Sequence, residues 1–323
     1  MLKSIIEKSS PLQYILRLIN AVCNARSFYS KAIMNWQNYY LLHIGLKKIF
    51  NAKFVNGEQL IFERFRDQQD FRRFYLKCIE IILSQERKLV ILPNEVRIEY
   101  GDKTLAFYYD TKSAFDQTLN QLYEEFILEQ YSQLHLQGKK VVDIGANIGD
   151  SSIFFSLNGA SSVFAFEPFP YSFTLARKNL DLNSISNVLL FNQGCGKSGE
   201  IIISPDYEST GASRLEPAMD GVSIKIVSLR DIINAFQIEN AVLKVDCEGC
   251  ECELIAQAED EDLIVFDEVI VEYHSGYESL VKRLKAADFV VHHTFPKYYG
   301  GSNGLGLIYA KRKDVLASIQ QES

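Results

Sequence analysis

From residue 140 onward, short apolar runs alternate with stretches of helical periodicity. Val141, Val142 and Ile144 read as a buried parallel strand, Gly145 to Gly149 as a tight turn, and Asp150 to Ser152 as the cap of a helix carrying Ile153, Phe154, Phe155 and Leu157. The pattern then repeats. It predicts strands at 140–145, 162–167, 188–193, 241–246 and 268–273, helices at 151–158, 171–181, 250–258 and 278–287, and a closing strand pair near 289–293 and 306–311. This alternation specifies an α/β, Rossmann-like domain, a mostly parallel sheet with helices on both faces; an antiparallel closing pair would make it seven-stranded.

The first 95 residues follow another plan. Residues 1 to about 50 read as helical, Phe54 to Phe62 as a hairpin around Asn56-Gly57, and 67–84 as a helix. A second hairpin is expected around Gly101-Asp102 between 96–100 and 104–108, then a helix over 115–134. We divide the chain into an N-terminal helical and hairpin (α+β) extension, 1–95, and an α/β domain, 96–323.

Composition narrows the class. With 323 residues, 47% hydrophobic and 23% charged, the chain reads as globular, and a net charge of −7 argues against a general binder of nucleic acid or anionic membrane. No apolar run is long enough for a membrane span, and the N-terminus has no signal-peptide layout. Leu12, Ile15, Leu16, Ile19 and Val22 instead form an amphipathic pattern that packs on the protein or touches a partner or membrane surface. Six cysteines outside a small secreted scaffold read as reduced thiols of a cytoplasmic protein.

The glycine turn selects a ligand. A dinucleotide site uses G-x-G-x-x-G to seat a pyrophosphate, whereas this chain has Gly145-x-x-x-Gly149 after an acidic Asp143. A carboxylate there repels phosphate but suits the ammonium and sulfonium of S-adenosylmethionine (SAM), although an ordinary strand-to-helix turn has the same form. Glu167, ending the next strand, can accept both ribose hydroxyls. Ligands in open α/β sheets bind beyond the strands' carboxyl ends. Those ends carry Asn147, Asn192 and Gln193, the latter two suited to the adenine edge, Glu272, and Asp246, Glu248 and His274 nearer the transferred methyl group.

Methyl transfer to an alcohol displaces in line while the hydroxyl loses its proton, so a carboxylate or histidine there serves as general base. His274 reads equally as an active-site group or a capped structural histidine. Glu248, Glu251 and Glu253 also suit the start of a helix or a solvated face. Cys247, Cys250 and Cys252 lack a nearby fourth zinc ligand, so core thiols are expected and no metal, with a metal-assisted variant on Asp246, Glu248 and His274 as a minority reading.

Four motifs, in this order, carry a family likeness: Asp143-Ile-Gly-Ala-Asn-Ile-Gly-Asp, Ala165-Phe-Glu-Pro, Leu243-Lys-Val-Asp-Cys-Glu-Gly-Cys-Glu and Val271-Glu-Tyr-His. Over roughly 95–311 the chain resembles the FkbM-type SAM-dependent methyltransferases. The resemblance implies a class I methyltransferase fold and O-methylation of a sugar, glycolipid or secondary-metabolite hydroxyl. It further implies cofactor contacts at Asp143, Gly145, Asn147, Gly149 and Glu167 and functional roles for Asp246, Glu248 and His274. Residues 1–95 and the loop 204–214, with Tyr207 and Arg214, lie outside any transferable pattern; acceptor choice is expected there, and the loop reads equally as a disordered connector. The competing readings are a non-catalytic scaffold of the same fold and an NAD-linked oxidoreductase.

Overall fold

A computed structural model of the chain describes residues 26–43, 49–63, 68–204, 217–218, 220–274, 276–294 and 305–322. The amphipathic pattern of residues 12–22 and the loop residues Tyr207 and Arg214 lie outside them. The chain divides into two compact units, residues 1–104 with 119–123 and residues 105–118 with 124–323.

In the first unit, α1 (Gln37–His43) is followed by β1 (Ile49–Lys53) and β2 (Gln59–Glu63), an antiparallel hairpin in which Lys53 faces Gln59. The hairpin turns at Asn56-Gly57 as expected, but its first strand lies upstream of Phe54-Val55. The Phe54 N–H donates to Glu58 O at 2.9 Å, which puts Phe54 inside the turn. The helix α2 (Gln68–Arg87) follows, then a hairpin of β3 (Val90–Leu92) and β4 (Glu95–Tyr100). Phe74 of α2 is fully buried and stacks on Tyr29 and Tyr39 while meeting Phe50 and Phe62 edge-on.

The second unit is built on one sheet. After β5 (Lys103–Tyr108) and α3 (Lys112–Phe126) come β6 (Lys140–Ile144), α4 (Asp150–Leu157), β7 (Ser162–Phe166), α5 (Pro170–Leu182) and β8 (Val188–Phe191). Helix α3 stops eight residues short of the expected 134; the chain then runs through turns, with Glu129 at φ +47°. The stretch 194–240, read as variable, holds β9 (Gly194–Cys195), β10 (Gly199–Ile203) and β11 (Val222–Val227) in a small sheet with β11 central, then α6 (Leu229–Phe236). The main sheet resumes with β12 (Ala241–Val245), α7 (Glu251–Gln257), α8 (Asp260–Leu263), β13 (Phe266–Tyr273), α9 (Glu278–Ala286), β14 (Phe289–His293) and β15 (Gly306–Arg312), and α10 (Lys313–Glu322) follows.

The seven-stranded order is β14-β15-β13-β12-β6-β7-β8, with β15 antiparallel to both β13 and β14 and the other pairs parallel. Every residue of β12 is buried, which is why its sequence shows no polar alternation. On one face Val142, Ile144, Phe164, Leu243 and Val269 pack with Leu229, Leu254, Ile255, Leu280 and Leu284 of the helices. The alternate residues Val141, Val163, Val242 and Ile270 are buried as well, so both faces are covered. The chain winds outward from β6 to β8 and returns to β12 on the other side of β6. That reversal opens a crevice at the carboxyl ends of β6 and β12, the place where open α/β sheets bind ligands.

Candidate functional site

The glycine turn is shaped by what it packs against. Gly145 (φ +80°) and Ala146 donate to Phe166 O at 2.9 and 3.0 Å, and Gly149 (φ +86°) donates to Ala146 O at 2.7 Å as the N-cap of α4. A Cβ on Gly145 would lie 1.7 Å from the carbonyl oxygen of Asp246. The first glycine therefore lets the β6 turn touch the β12 turn, and room for a ligand is not its main reason.

Asp143, read as a cofactor contact, is fully buried and engaged elsewhere. Its Oδ2 accepts the hydroxyls of Ser151 (2.7 Å) and Ser152 (2.6 Å), and its Oδ1 lies 3.0 Å from Lys244 Nζ. It ties the turn to the start of α4. Lys244, from the middle of β12, also donates to Gly145 O at 2.6 Å. Burial disfavours its charge, but Asp143 and Asp246 outweigh burial and hold the ammonium firmly protonated. Close by, Asp150 and Glu125 each keep a buried carboxylate oxygen with no hydrogen-bond partner among the described residues, and burial pushes Asp150 up to about 7.

Glu167 is 4% exposed, with Oε2 accepting the Asn147 N–H at 2.8 Å and Oε1 the Phe169 N–H at 2.9 Å. Burial pushes its carboxyl up to about 8 against those two donors. Asn147 (φ +48°) also accepts from Gln117 Nε2 at 2.7 Å. The Asn192 amide nitrogen is used locally, donating to Glu167 O and Pro168 O at 2.9 Å each, while Gln193 is half-buried beside it.

The acidic turn follows β12. The Asp246 N–H donates to Ile144 O at 3.0 Å, and the chain then passes through Glu248 (φ +55°) and Gly249 (φ +126°) into α7. His274, at the end of β13, has Nε2 3.2 Å from Glu248 Oε2 and 4.0 Å from both Asp246 Oδ1 and Glu272 Oε1, while Nδ1 is 3.0 Å from Glu251 Oε1. Four carboxylates thus surround one imidazole. Burial favours the neutral ring, but Glu248, Glu251 and Asp246 overcome it and hold His274 protonated up to about 11. Burial raises Asp246 to about 6 and lifts Glu272 well above the usual carboxylate range. Asp246, Glu248 and His274 each offer a ligand atom, all within 4.8 Å of one another, and so could hold a metal ion.

The structure joins Cys247 and Cys250 in a disulfide with Cα atoms 5.5 Å apart, which corrects the reading of these residues as free thiols. Cys252 is free and half-buried. His292 and His293 lie exposed on the edge strand β14, with His293 stacked near Tyr277. Lys244 is the residue that sequence reasoning passed over, and Glu251 was read only as a helix-start or solvated-face glutamate. A lysine inside the run Ala241-Val-Leu-Lys-Val was the available signal, because a charge in a buried strand needs a partner.

Among the described residues no helix is long and apolar enough to cross a membrane. Residues 143–293 match the family described as Methyltransferase FkbM domain. The chain is 29% identical over 138 residues to the hexuronic acid methyltransferase AglP of Haloferax volcanii, covering 42% of this chain and 56% of that one. It is 24% identical over 159 residues to methyltransferase 1 of Beauveria bassiana, covering 41% and 63%. It therefore spans less than two thirds of these curated relatives. Among solved structures, the magnesium protoporphyrin IX methyltransferase of Synechocystis with bound SAM aligns with a TM-score of 0.37 at 14% identity, covering 66% of this chain and 88% of that one. Within its seven-stranded mixed sheet, the chain is thus similar over residues 143–293 to the FkbM methyltransferase domain.

Proposed function

We propose that this protein is a SAM-dependent O-methyltransferase acting on a hydroxyl of a sugar, glycolipid or related small molecule. The observation that carries the reading is the contact between Gly145 and the Asp246 carbonyl. It sets the turn that would face the cofactor directly beside the turn that carries the acidic groups. The donor set fits a cationic ligand, since the carboxylates of Asp246, Glu248 and Glu251 exceed the one imidazolium among them. When bound, SAM supplies an electrophilic methyl group on a sulfonium. Glu167 would take the ribose hydroxyls, and Asn192 and Gln193 the adenine edge.

The roles at the acceptor end divide by protonation. His274 is an imidazolium in this setting and cannot take a proton from a hydroxyl, so its part is to hold Glu248 and Glu251 in place. Asp246, with its carboxyl near 6, is ionised at neutral pH and matched to the task of general base. The acceptor class draws support from the hexuronic acid methyltransferase to which this chain is similar. We assign acceptor selection to the N-terminal extension 1–95 and to the loop 204–214.

Titration calorimetry with SAM and S-adenosylhomocysteine (SAH), with Glu167→Ala as the control, tests the cofactor. Transfer of labelled methyl to a panel of hexuronic acids and neutral glycosides, before and after Asp246→Asn, tests the chemistry. Binding lost on changing Glu167, with transfer lost on changing Asp246, is the expected pair. A folded protein that binds neither molecule would withdraw the proposal.

A further inference from the structure

Glu251 lies at the first position of α7 with a side chain only 3% exposed. One of its oxygens, Oε1, is 3.0 Å from the Gly249 N–H, 3.3 Å from the Cys247 N–H and 3.0 Å from His274 Nδ1. Those two amides flank Glu248, a non-glycine residue held at φ +55°. Such a conformation is strained for a residue with a side chain and persists only where its surroundings enforce it. Glu253, two residues on, faces solvent and among the described residues accepts from Gln257, which is what a helix-start glutamate without further duties looks like.

We propose that Glu251 is a positioning residue. A single carboxylate oxygen holds the backbone of the acidic turn and one ring nitrogen of His274 at once, and so aims the other nitrogen at Asp246 and Glu248. An ionised carboxylate only accepts, so Nδ1 must carry the proton in this contact, and the ring is left with Nε2 facing the crevice. The proposal rests on the methyltransferase reading only for what this positioning serves.

The test is nitrogen-15 NMR of the full chain with labelled histidine, His274 being identified by the signals missing in His274→Gln. The unmodified protein should show a slowly exchanging, downfield Nδ1–H on His274. Glu251→Gln should lose it, because an amide at that position either donates toward the ring or gives up the charged acceptor. The control Glu253→Gln should keep it. Persistence of the protected Nδ1–H in Glu251→Gln overturns the proposal. If that variant does not fold, the unmodified protein decides alone: a protected Nδ1–H with cross-relaxation to the Glu251 side chain supports it, and a freely exchanging ring overturns it. SAM binding by the unmodified protein is read separately, so failure of the methyltransferase proposal is distinguishable from failure of this one.

Discussion

Gly145 and Gly57 both sit at positive φ, +80° and +90°, yet substitution should cost them very differently. A Cβ on Gly57 meets nothing within 4 Å, so Gly57→Ala carries backbone strain alone, about 1 kcal/mol. A Cβ on Gly145 would fall 1.7 Å from a backbone oxygen, and the turn cannot yield without separating β6 from β12. Strain and overpacking together predict a loss of about 2–5 kcal/mol for Gly145→Ala, read from urea midpoints at equal m-value. Equal losses in the two variants would show that the turns do not touch. Residue identity was legible in the sequence here and residue reason was not. The spacing Gly145-x-x-x-Gly149 marked the turn, but its contact lies 101 positions along the chain at Asp246. Asp143 illustrates the same limit. The motif singled it out, and Ser151 and Ser152 reach it from the start of α4, while Lys244 became its partner only through the pairing of β6 with β12.

At the scale of elements, the strands of the main sheet stood out because burial on both faces leaves apolar runs such as Val163 to Phe166 of β7. Element ends were harder, as in α3, where apolar spacing continues past Phe126 although the helix stops there. The stretch before α6 was opaque because its strands are short and half-exposed, with β10 and β11 showing only partial burial. Helix α6 carries its own stop-and-start chemistry nonetheless. Ser228 accepts the Asp231 N–H at 3.1 Å while Asp231 accepts the Ser228 N–H at 3.0 Å, a reciprocal cap. Ser228→Ala should destabilise the protein by about 1 kcal/mol in urea unfolding and leave SAH affinity unchanged. The acidic turn offers a second element-scale test. Alkylation of the folded, unreduced protein followed by peptide mass spectrometry should leave Cys247 and Cys250 unmodified and linked, and modify both after reduction. Full alkylation without reductant would restore the reading of free thiols.

Over the whole molecule, the strand order brings residues from four distant motifs to one crevice, and the charge gathered there sets how the protein responds to pH. Asp246, Asp150 and Glu167 have carboxyls raised to about 6, 7 and 8, and burial is the largest cause in each. His274 is raised to about 11 by the carboxylates around it. For all four the folded state holds its proton more tightly than the unfolded chain. Their contribution to stability is therefore complete below the unfolded values, near pH 4 for the acids and 6.5 for the histidine, and drains away as pH rises through the folded ones. The protein without ligand should lose stability steadily from pH 5 to pH 9, with urea midpoints falling. Binding of SAM should run the other way. Its sulfonium favours ionised carboxylates, so binding expels protons, and the affinity ratio of SAM over the uncharged-sulfur product SAH should climb with pH by up to about tenfold per unit for each proton released. Calorimetry of both ligands at pH 5.5, 7 and 8.5, repeated in buffers of different ionisation enthalpy, measures the ratio and the proton count. A ratio that stays flat while the midpoints fall would mean that these carboxylates titrate with the fold but do not face the sulfonium. The acidic crevice would then belong to the acceptor or to a metal ion, and addition of a chelator to the methyl-transfer assay would tell those two apart.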